Sequence, residues 1–114
     1  MEDVLATLVG RQLGSVEFVQ DYVQFHFDGP TLTVFEYPAV EDDRNRYTEG
    51  LTGYRDALCG LIARKVRATA TCDGEELRLE FEGGAHIVVP LHREDDNPEV
   101  AMFQDPHRRI AAVW

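Results

Sequence analysis

From Leu77 to Glu82 the chain alternates strictly, with Leu77, Leu79 and Phe81 set against Arg78, Glu80 and Glu82. A period of two places the apolar set on one face of a strand and the charges on the other, the pattern of a half-buried antiparallel strand. Cys72-Asp73-Gly74-Glu75 precedes it and Gly83-Gly84 follows it. Both are turn sequences, because glycine accepts the positive φ that tight hairpins require. The surrounding stretch therefore predicts a three-stranded meander. Leu58, Leu61 and Ile62 at helical spacing, with Gly53 and Asp56 as start signals, predict a short helix over 54–62.

The same order occurs earlier. Val16 and Phe18 precede a turn at Gln20-Asp21, and Val23, Phe25 and Phe27 then alternate with Tyr22, Gln24 and His26. Asp28-Gly29-Pro30 closes that strand, and a third runs over 32–37 until Pro38, which has no N–H to give to a ladder. A short helix is expected over 3–9. Asp3, Leu5, Leu8, Val9, Arg11 and Leu13 align without a gap with Asp56, Leu58, Leu61, Ile62, Arg64 and Val66. After one inserted residue, Phe25, Phe27, Gly29 and Val34 align with Leu79, Phe81, Gly83 and Val88. The chain is thus expected to repeat one unit, about 3–36 and 56–90, with a connecting loop over 39–53. A hairpin over 100–114 turns at Asp105-Pro106-His107-Arg108. The fold class is mainly β with short helices (α+β): a single domain of two related three-stranded antiparallel meanders plus the C-terminal hairpin, forming a sandwich or open barrel. Phe103 and Trp114 are expected as core anchors.

A chain of 114 residues buries roughly two-thirds of its unfolded surface, enough for a core without staples. The only cysteines, Cys59 and Cys72, lack CxxC spacing, so both are expected as buried reduced thiols in a reducing cytoplasm. The start, Met1-Glu2-Asp3, is acidic where a secretory signal is basic, and no apolar run approaches the roughly 18 residues of a membrane span. A soluble, cytoplasmic protein is expected. The formal net charge of −10 disfavours nucleic acid and anionic membrane as partners, since phosphate binding needs clustered Lys and Arg, and leaves room for a basic protein.

The chemistry of an enzyme is largely missing. No GxSxG, HExxH, Walker loop, GxGxxG or Cys/His cluster is present. His26, between two phenylalanines, occupies the outward side of its strand. His86 and His92 beside Glu94, Asp95 and Asp96 are the nearest approach to a metal set, and ordinary surface polarity accounts for them better. The acidic trios lack the alternating oxygen ligands and central glycine of a calcium loop. No catalytic, cofactor-binding or metal-binding residue is assigned, and no cofactor is expected. The candidate partner-binding residues are Glu41, Asp42 and Asp43 with Glu94, Asp95 and Asp96, each trio lying just beyond the third strand of its meander. Exposed meander edges also invite pairing of two copies, a homodimer.

Asn97-Pro98-Glu99-Val100-Ala101-Met102-Phe103, Asp105-Pro106 and the final Ile110-Ala111-Ala112-Val113-Trp114 carry a resemblance, together with Gly10-Arg11 and the turn from Phe81 to Gly84. The chain resembles small bacterial proteins of this length without an assigned activity, some of them similar to the small acidic immunity proteins of bacterial toxin systems. That resemblance implies a binding role and no catalytic residues. The sequence therefore reads first as a non-catalytic protein-binding module. The alternative is a small-molecule-binding protein or enzyme with an interior pocket.

Overall fold

A computed structural model describes residues 4–72, 75–91 and 100–114. Among these the chain is mainly β. A 3₁₀ helix over Val4–Leu8 leads into β1 (Ser15–Val19), β2 (Tyr22–His26), β3 (Thr31–Val34), β4 (Ala39–Glu41) and β5 (Arg46–Tyr47). Helix α1 (Tyr54–Cys59) then precedes β6 (Val66–Cys72), β7 (Glu76–Phe81), β8 (His86–Pro90), β9 (Ala101–Asp105) and β10 (Ile110–Val113). The strands form two antiparallel five-stranded sheets, ordered β1-β2-β3-β9-β10 and β5-β4-β8-β7-β6, called here the first and second sheets. Each sheet keeps two edge strands, so neither closes into a barrel.

Each sheet is a meander extended by a hairpin, and the hairpins are exchanged. The stretch 39–53, expected as a plain connection, contains the β4–β5 hairpin, which joins the second sheet through Ala39↔Val88 and Glu41↔His86. The β9–β10 hairpin joins the first sheet through Leu32↔Phe103 and Val34↔Ala101. Strands of three and two residues are too short to show a period. What makes the hairpin is a turn: Asp42 Oδ1 accepts the N–H groups of Arg44 at 2.9 Å and Asn45 at 2.8 Å. Asp105 repeats the device, its Oδ1 accepting from His107 N at 3.2 Å and Arg108 N at 3.4 Å.

The two halves meet at an antiparallel bridge between Gln12 and Lys65, which are counterparts in the aligned units. The hydrogen bonds around it come in exchanged pairs. Gly10 N donates to Val66 O (2.8 Å) as Ala63 N does to Leu13 O (2.7 Å), and Val66 N donates to Arg11 O (2.9 Å) as Leu13 N does to Arg64 O (3.0 Å). Gly10 and Ala63 share the left-handed conformation there, with φ of 88° and 77°. The inner pair is the pattern of any antiparallel bridge, and the outer pair extends it by one hydrogen bond on each side. The pairing also moves one equivalence. Val23 lies opposite Val34, whereas its counterpart Leu77 lies opposite Val89, so Val34 corresponds to Val89 and not to Val88. The Gly83-Gly84 turn holds one residue more than a gap-free reading allows.

One core serves both sheets. Leu5 and Leu58, Leu8 and Leu61, Leu13 and Val66, Phe25 and Leu79, and Phe27 and Phe81 are all buried in it, with Phe103. Leu77, Leu79 and Phe81 are fully buried, as their alternation requires. Trp114 packs against this cluster but is only partly buried. Both cysteines are exposed, contrary to expectation. Cys59 lies off the buried side of α1, which is formed by Tyr54 and Leu58, and Cys72 lies at the end of an edge strand beyond the core.

Candidate functional site

The first acidic trio is mostly consumed by its own structure. Glu41 pairs with Arg46 and, at 3.2 Å, with Arg78. Asp42 staples its turn, and the N–H groups of Arg44 and Asn45 hold its carboxyl below the usual carboxylate range. Asp43 alone of the three projects into solvent without such a role, flanking Gly84. Glu94, Asp95 and Asp96, with His92, lie outside the described residues.

Glu41 belongs to a lattice of charge over the outer face of the second sheet. Arg78 joins Glu41 and Glu76, and Arg67 meets Glu80 at 2.5 Å, while His86 Nε2 lies 3.0 Å from the other oxygen of Glu80. Arg67 first, then His86, keeps the Glu80 carboxyl below its ordinary value. Glu76 first, then Glu41, holds the Arg78 guanidinium more firmly protonated than usual. Arg78 and Glu80, expected on the charged face of their strand, lie there half-buried and paired.

The equivalent outer face of the first sheet is built differently. Register places Glu17, Gln24, Thr33, Met102 and Val113 in one row across the five strands. Ser15, His26, Thr31, Gln104 and Ala111 form the next row. Gln24 Nε2 donates to Thr33 Oγ1 at 3.1 Å, and Tyr22 meets Phe35 edge to face at 6.3 Å. His26 does face outward, between Glu17 at 3.2 Å and Thr31 at 3.4 Å. Val113 is 54% exposed. In these two rows Glu17 is the one formally charged residue, and exposed Asp21 and Glu36 stand at the end beside Tyr22 and Phe35.

Open grooves flank α1. One, of about 420 Å³, runs along Tyr37 and residues 49–56. The other, of about 580 Å³, brings Asp43, Arg44, Asp56 and Arg64 beside Tyr47. Tyr54 O–H donates to Pro38 O at 2.5 Å and ties α1 to the start of β4; burial pushes its hydroxyl pKa up. Asp105, in the terminal hairpin, is 1% exposed, and its Oδ2 has no hydrogen-bond partner among the described residues, with Arg108 Nε at 3.8 Å. Among the described residues no group of three His, Cys, Asp or Glu is placed to hold a metal ion, and no helix is long and apolar enough to cross a membrane.

The arrangement defines a β-rich domain with one charge-paired sheet face and one largely neutral face bearing aromatic, threonine and amide side chains. Neither a protein-family model nor a curated protein nor a solved structure matches the chain.

Proposed function

We propose that this chain is a non-catalytic protein-binding module that receives a basic protein on the outer face of the first sheet. The observation that carries the reading is the contrast between the outer faces. Interface centres are depleted of charge and enriched in aromatic residues and methionine, and Tyr22, Phe35, Met102 and Val113 supply that composition where the second sheet has ion pairs. The exposed acids Glu17, Asp21 and Glu36 at its margin, in a chain of net charge −10, steer a basic partner toward it. This moves the binding residues from the acidic trios to a sheet face, with Asp43 and the Glu94-Asp95-Asp96 segment left as long-range attraction. Neutralising a basic toxin, the role implied by the resemblance to immunity proteins, is one form of this activity.

A second reading, a small-molecule-binding protein or enzyme, draws on the groove beside α1, where Asp43, Asp56, Arg44 and Arg64 present both signs of charge to a small zwitterion. The test places a photo-crosslinker at position 104 on the first sheet or at position 46 on the second, in lysate at low salt. A basic protein should crosslink at 104 and not at 46, fade as salt rises, and disappear with Val113→Arg, which leaves the fold intact because Val113 is exposed. Capture indifferent to position, to salt or to Val113→Arg sinks the proposal and moves the groove ahead.

A further inference from the structure

We propose that the chain cuts itself once, between Asp105 and Pro106, with the Asp105 carboxylate as the nucleophile. The observation that carries this is a buried charge left half-satisfied. Asp105 continues the buried side of β9 formed by Ala101 and Phe103, is 1% exposed, and its Oδ2 has no hydrogen-bond partner among the described residues. Folded proteins rarely keep such an oxygen, and where they do it stores strain or takes part in chemistry. Arg108 does not satisfy it, since its Nε stands 3.8 Å away and its side chain is 51% exposed. The other oxygen is held. Oδ1 accepts the N–H groups of His107 at 3.2 Å and Arg108 at 3.4 Å, and an aspartate reaches N–H groups two and three residues on only by folding toward its own carbonyl carbon. The nearest electrophile to this carboxylate is therefore the amide to Pro106.

The rest of the turn favours the same bond. The His107 ring lies so close over Gly29 that a Cβ there would meet its Cδ2 at 3.0 Å, which pins the turn against the one between β2 and β3. Arg109 takes a left-handed φ of 55°, strain that a cut turn need not hold. Pro106 is exposed to solvent, its nitrogen belongs to a tertiary amide, and 105–106 is the only Asp-Pro dipeptide in the chain. In the first step Oδ2 bonds to the carbonyl carbon of Asp105, the C–N bond breaks, and the Pro106 nitrogen leaves as a secondary amine with a proton from solvent. Oδ1 becomes a carbonyl oxygen of the resulting cyclic anhydride. Water then opens that ring, leaving two carboxyl groups on Asp105, so the sum is one amide hydrolysed by one water. Asp42 shows what is special here: it makes the same turn, but it is exposed and followed by Asp43, whose amide is secondary. The cut leaves β10 held by its pairing with β9 and by the hydrogen bonds of Trp114 with Val100 and Ala101. Residues 106–114 thereby become a detachable edge of the first sheet.

The reaction is read by mass and needs no partner, so it stands or falls apart from the binding face. Purified protein is incubated in one mildly acidic buffer, native or in urea, and followed by denaturing mass spectrometry. The native chain should split between 105 and 106. In urea, where the carboxylate is solvated and free to rotate, the cut should be at least about tenfold slower. Pro106→Ala keeps the carboxylate and both turn hydrogen bonds and alters only the leaving nitrogen, so it should stay folded and whole. Asp43→Pro sets the same dipeptide in the exposed turn and should cut between 42 and 43 no faster native than in urea. A native chain that stays whole, a native rate no greater than the rate in urea, a cut retained in Pro106→Ala, or equal acceleration by folding at the exposed turn each overturns the proposal.

Discussion

Two sheets of one topology present opposite surfaces. Gln24, Thr33 and Met102 occupy in the first sheet the ladder positions that Arg78, Val88 and Ala39 occupy in the second, and His26, Thr31 and Gln104 stand where Glu80, His86 and Glu41 stand. Inward, the central meander strands agree in apolar character, Val23 and Phe25 with Leu77 and Leu79 and Leu32 and Val34 with Ile87 and Val89, because a shared core accepts only apolar side chains of fitting volume. Outward, Thr33, Val88 and Ala39 at the sheet centres are buried, and the positions around them are open enough to differ. One face has spent its charges on each other, and the other has almost none. The difference teaches where to look for function: shared positions answer to the core, divergent ones to solvent or to partners.

If the inner faces are equivalent, damage to either should be alike and large. Phe27→Ala, just past β2, and Phe81→Ala, at the end of β7, both fully buried, should each cost about 3–5 kcal/mol, read as urea midpoints. A gap wider than about 2 kcal/mol between them would show that one meander carries the core.

The turn carboxylates sharpen the comparison at a smaller scale. Asp42 and Asp105 accept the same two backbone N–H groups, but Asp42 is exposed and Asp105 is 1% exposed. Asp105→Ala removes both turn hydrogen bonds and empties the buried site of the carboxylate, and should cost about 1–3 kcal/mol. Asp42→Ala leaves them to solvent and should shift the melting temperature much less. Equal shifts would mean that the terminal turn opens to water.

The smallest effect is the dependence on pH. Asp42 and Glu80 have lowered folded-state pKa values, and both belong to the second sheet and its hairpin. A depressed carboxyl binds protons less readily folded than unfolded. Its contribution is therefore fully present above the unfolded value of about 4 and is lost as pH falls through the folded value. Amide exchange followed downward from about pH 5 should loosen β4, β5 and β7 before β2 and β3. Uniform loosening, or loosening of the first sheet first, would break the assignment of charge pairing to one face.

The contrast between β1 and β6 shows how far local pattern reaches. They are counterparts as first strands of their meanders, yet Phe18 of β1 is roofed by Tyr37 and by the Arg55 guanidinium 4.9 Å from its ring centroid, whereas β6 carries threonines along its exposed length. Tyr37 comes from the connection between β3 and β4 and Arg55 from α1, so no window around Phe18 contains its cover. The exposure of Cys72 follows from the same long-range fact. Local spacing, for its part, was enough for the alternation from Leu77 to Phe81 and for the outward side of His26.

The sequence by itself determined the strands of both meanders, the two short helices, the terminal hairpin and the apolar set that becomes the core, because each follows from side-chain period and turn chemistry over a few residues. Tertiary structure alone decided that the hairpins are exchanged, that Glu41 and Asp42 are occupied within their own sheet and turn, and that one outer face is charge-paired while the other is neutral. Those depend on which strands lie side by side: Glu41 meets Arg78 across 37 residues, a separation at which spacing along the chain carries no information about contact.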